Sequence, residues 1–200
     1  MRAVLEGGSA SARVHVDLAR SALDAHTHPL TPPASAVGAS LVAGVALILT
    51  GVASVAQPLM PDWPGYLLET LPIAVVGAVA ALRGVTVAGL RSGLDGPRST
   101  TPVLVLAVSG HLAWIGALAI ATLGGPYGAI TGAAGSAAAI GTVLVGLLRH
   151  RVGDHPTAEG LVLAGGALLV PSPIAWIVAG AAWIGLAVSA LRVVRPLRPA

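Results

Sequence analysis

VGASLVAGVALILTGVASVA, residues Val37 to Ala56, contains no charged side chain. A helix of this length reaches about 30 Å, the thickness of a bilayer's hydrocarbon core. The segment therefore reads as a membrane-spanning helix and sets the solvent for the rest of the chain. Composition extends the inference: 55% of the 200 residues are hydrophobic and 10% are charged, a balance foreign to soluble domains of this size.

Charge placement supplies the topology. All eleven basic residues are arginines, in four clusters: Arg2, Arg13 and Arg20; Arg83, Arg91 and Arg98; Arg149 and Arg151; Arg192, Arg195 and Arg198. Arginine is retained on the cytoplasmic side, so four clusters predict four segments on one side and three excursions between them. Nucleic acid is a poor fit, because the formal charge is only +3, no dense basic run occurs, and few aromatics could stack on bases. Cysteine is absent, which removes disulfides, thiolate metal sites and cysteine nucleophiles. Lysine is absent too, which removes phosphate loops of the Gly-x-x-x-x-Gly-Lys type.

On the amino-terminal side of the quoted stretch, residues 1–35 form a polar leader that lacks the continuous apolar core of a signal peptide. Val14, Leu18 and Ala22 form one narrow apolar row, compatible with a short amphipathic helix or with a loose tail. On the other side, the proline-rich turn from Gln57 to Gly65 carries no arginine and should face outward, with Trp63 and Tyr66 at the headgroups. Further spans are expected from Tyr66 to Leu82, kinked by Pro72, from Thr101 to Leu123, and from Gly128 to Leu148.

Glu159 to Val194 is ambiguous, because Pro171, Ser172 and Pro173 divide it into a short arm and a longer one. Arginine placement favours a hairpin; a single kinked helix would leave the carboxyl-terminal arginines outside. The expected fold is an all-α polytopic membrane protein of about six transmembrane segments in three hairpins. A cytoplasmic leader (1–35), a bundle (36–194) and a cytoplasmic basic tail (195–200) make up the chain, which is placed in the cell's inner membrane.

In lipid, helices associate through small residues that let backbones approach. Gly128, Gly132 and Ser136 form one such row, and Ala181, Gly185 and Ser189 another, available for packing within the subunit or between copies.

Ionisable groups at membrane depth are costly, which singles out Glu69 and His111. Together with Trp114, one turn beyond His111, and with Ser172 at the proline break, they form a candidate substrate or ion site. Ser109 and His111 lie two apart on one helix and point about 200° apart, so they cannot pair as nucleophile and base. Asp24, His26 and His28 have a metal-ligating Asp-x-His-x-His spacing, but no barrel follows to complete a hydrolase, leaving weak metal capture by the leader. Haem would need a second membrane histidine, and no cofactor is expected.

These features point to a non-enzymatic accessory, assembly or structural subunit of a membrane complex, whose partners are the bilayer and other subunits or further copies of itself. The competing reading is a small transporter or channel subunit with a polar site around Glu69, His111 and the Pro171–Pro173 break.

Overall fold

The computed structural model describes residues 34–59, 66–95, 100–125, 128–170 and 172–194, without the side chains of 34, 66–69, 92–95 and 193–194. All belong to one contact-defined unit, Pro32–Ala200. The leader, with Asp24, His26 and His28, and the tail at 195–200 lie outside the described residues, as does the 60–65 part of the first turn.

Six α-helices and one short 3-10 turn, with the turns that join some of them, make up the described residues. They are α1 (Ala34–Ala56), α2 (Tyr66–Asp95), α3 (Thr100–Thr122), α4 (Ala129–Arg151), α5 (His155–Leu168) and α6 (Pro173–Val194), with the 3-10 turn at Gln57–Leu59. Five of the helices are long and apolar enough to cross a membrane. α5 is the exception at 14 residues, which span only about 21 Å. The 159–194 stretch is thus two helices separated at 169–172, not one unbroken rod.

One boundary differs from expectation. α2 does not stop at Leu82 but runs through Arg83 and Arg91 to Asp95, so most of the stretch that holds the second arginine cluster is helical. The cause is apolar packing beyond Arg83. Val85 is fully buried, Gly84 seats the ring of Trp183 from α6, and Gly89 seats Leu104 from α3. Arg83 itself stays exposed. Pro72 lies in the interior of the same helix without ending it.

Every helix packs on the next in sequence, and α6 returns to close on α1. Glycines mark the seams. A Cβ on Gly44 or Gly51 of α1 would collide with α6 at Gly180 or Ile177, respectively. Gly110 and Gly141 do the same between α3 and α4, while Gly146 and Gly165 do so between α4 and α5. The pairing of Gly110 with Ala137 and of Gly141 with Ala107 shows that α3 and α4 run antiparallel. The interior holds Leu47, Leu118, Val145, Leu161 and the indoles of Trp114 and Trp183. Outward faces carry large apolar side chains, including Val45, Leu49, Val105, Leu112 and Ile140, a surface suited to lipid and not to water.

Candidate functional site

His111 is 1% exposed in the middle of α3. Its Nδ1 lies 2.8 Å from the Ala107 carbonyl oxygen one turn back, and since a carbonyl only accepts, Nδ1 carries the proton and donates it. Trp114 meets the imidazole edge-on at a ring separation of 6.4 Å. Trp114 in turn packs on Trp176 of α6 at 5.7 Å, so α3 touches α6 just past the proline break. Gly135 of α4 makes room for the Trp114 indole, because a Cβ there would come within 3.2 Å of its Nε1. Ser172 sits at the break itself, where its Oγ accepts from the Ile174 backbone N–H at 3.3 Å and helps begin α6.

The structure therefore links His111, Trp114 and Trp176 in a chain across the bundle. Glu69 belongs to the first turn of α2, and its side chain lies outside the described residues. Ser109 is exposed and gives its hydroxyl proton to the Leu106 carbonyl, facing away from buried His111. Among the described residues no three His, Asp or Glu side chains gather as a metal site.

A second polar centre lies at the corner between α4 and α5. α4 ends in a left-handed glycine, Gly153 at φ +82°. The Gly153 N–H bonds to the His150 carbonyl and the Asp154 N–H to the Arg149 carbonyl, the paired closure of a Schellman turn. This turn folds Asp154 back over Arg149. The Arg149 side chain is 10% exposed and donates from both Nε, at 3.0 Å, and Nη2 to the carboxylate oxygen Oδ2. The other oxygen, Oδ1, accepts from the Thr157 N–H at 3.3 Å and caps α5, whose first turn also contains Pro156.

Burial by itself would raise the Asp154 carboxyl, but hydrogen bonds from Arg149 and Thr157 and the Arg149 charge outweigh it, holding the group below the usual carboxylate range. Arg91 of α2 feels the charges of both partners, so three helices contribute to this corner. Neither composition nor apolar periodicity points to this corner. Its signal was Gly153-Asp154-His155-Pro156, a helix stop followed at once by a helix start.

The small-residue rows face outward. Gly128, Gly132, Ala181 and Gly185 are exposed, with Ser136 and Ser189 half-buried. Nothing lies within 4 Å of a Cβ built on Gly128, Gly132 or Gly185. The Ser136 hydroxyl donates to the Gly132 carbonyl within its own helix. Comparison with protein families, with curated proteins and with solved structures gives no match.

Proposed function

We propose that this membrane-embedded chain is a non-enzymatic accessory, assembly or structural subunit of a larger inner-membrane complex. The observation that carries the reading is the outward exposure of the small-residue faces of α4 and α6. Inside the bundle, other glycines mediate helix contact, whereas Gly132 and Gly185 leave backbone open to a neighbour. In lipid, where no hydrophobic force joins helices, such openings are where a second protein's helix can approach closely. In this reading the six helices form three hairpins, α5 dips only part-way or sits in a thinned bilayer, and both termini are cytoplasmic.

The test is purification in mild detergent of the native chain beside Gly132→Leu and Gly185→Leu. A membrane partner, or a second copy, should accompany the native chain in fixed stoichiometry and be lost from a variant that keeps its helicity. A chain that elutes alone, or whose company is indifferent to both substitutions, would remove the proposal.

A small transporter is the second reading, favoured by the contact of Trp114 with Trp176 just beyond the helix break. It requires solvent access to His111. Modification of that imidazole by a membrane-impermeant reagent in sealed vesicles would support it; full protection from both sides favours the subunit.

A further inference from the structure

The turn that brings Asp154 to Arg149 also brings together two imidazoles that neither proposed role uses. His150, in the last turn of α4, and His155, the first residue of α5, are both exposed. Their Nδ1 atoms lie 3.0 Å apart. The ring centroids are 4.6 Å apart with the planes at 68°, closer than two end-on imidazoles with that nitrogen separation allow. The rings are therefore inclined to the line joining the nitrogens. Two nitrogens on one tetrahedral zinc ion, each bonded at about 2.0–2.1 Å, stand about 3.3 Å apart. Only a few tenths of an ångström separate the pair from that spacing.

We propose that His150 and His155 form a two-imidazole site for a divalent transition metal, with zinc the expected occupant. Both nitrogens are presented by a Schellman turn and by a helix start capped by Asp154, so little ordering is left for the metal to impose. Each imidazole ligates through a nitrogen that carries no proton, so as the ion enters, the proton on whichever Nδ1 donates across the pair relocates to Nε2 of the same ring and both rings stay neutral. Borderline imidazole donors favour zinc, copper and nickel over magnesium and calcium. Because the chain has no cysteine, no thiolate competes for the ion. Among the described residues no third His, Asp or Glu completes the set, so water fills the remaining positions.

The experiment is zinc titration of the full chain in detergent, purified with a tag free of histidine, against a competing fluorescent chelator. One zinc per chain is expected. His150→Gln and His155→Gln should each weaken binding by about tenfold or more. The triple variant His15→Gln, His26→Gln, His28→Gln, which disables the leader, should bind as the native chain does. A second readout needs no variant: zinc should protect His150 and His155 from acylation by diethyl pyrocarbonate, followed peptide by peptide by mass spectrometry. Absence of saturable zinc binding, binding indifferent to both corner substitutions, or binding that follows the leader variant would overturn the site.

Discussion

Gly153 adopts φ +82°, where an L side chain is strained. The turn it makes fixes Asp154 on Arg149 and sets the two histidines face to face. Gly153→Ala should therefore destabilise the protein by about 1–2 kcal/mol and weaken zinc binding together, read by thermal melting and by chelator competition. Asp154→Asn tests the ion pair. It leaves the buried Arg149 without its anion, and a loss of about 1–3 kcal/mol is expected at neutral pH.

The pH dependence of that loss has a definite sign. Because the folded carboxyl titrates below its unfolded value of about 3.9, the native chain keeps the full contribution above that pH and surrenders it as pH falls through the lower folded value. The stability gap between native and Asp154→Asn should thus be level near neutrality and narrow only below about pH 4. A gap that closed between pH 5 and 7 would place some other group in control. None of this corner was foreseen, because an ion pair five residues apart depends on the turn between its partners, and periodicity does not report turns.

At the scale of the helix, apolar runs located the elements well, and proline and glycine marked most of their ends. α2 is the instructive departure. By hydropathy Arg83 reads as a boundary, yet an exposed arginine does not interrupt a helix whose opposite side is sealed by Trp183 and Leu104. Small-residue rows are legible only in part, since spacing reveals that a row exists but not which neighbour it meets. Gly132 and Gly185 look outward, while isolated Gly110, Gly141 and Gly180 carry the tight crossings.

Substitution should separate the two classes cleanly. A Cβ on Gly110 would sit 2.8 Å from the Ala137 backbone, and backbone cannot step aside as a side chain can. Gly110→Ala is expected to cost about 1–3 kcal/mol in spite of alanine's higher helix propensity. In the chain separated from any partner, Gly132→Ala and Gly185→Ala, with open space around them, should be neutral or stabilise by up to about 1 kcal/mol. Detergent melting curves followed by circular dichroism would rank the three.

For the whole molecule, class was legible from composition, because water cannot be the solvent of a chain this apolar. Closure of the bundle was not legible, since the meeting of α1 with α6 joins segments more than a hundred residues apart in sequence. The antiparallel crossings of α1 with α6, α3 with α4 and α4 with α5 place the carboxyl ends of α1 and α3 at one end of the described bundle and the α4–α5 corner at the other. The natural lack of cysteine makes this testable without background labelling. In the topology proposed above, Leu59→Cys and Leu123→Cys, both highly exposed, should react with an impermeant maleimide from the outer face. In the same proposed topology, Val152→Cys should react only from the cytoplasmic face. Labelling of all three from one side would be incompatible with three cytoplasmic returns.

The α1–α6 seam also governs the order of events at the ribosome. Gly44 and Gly51 have no cover from α6 until Ile177 and Gly180 have been synthesised, so the earliest made of the described helices is the last to be sealed. During that interval its bare glycine face is open to an insertion chaperone or to the wrong neighbour. A chain cut before Pro173 should be degraded rapidly, even though its first five helices are intact.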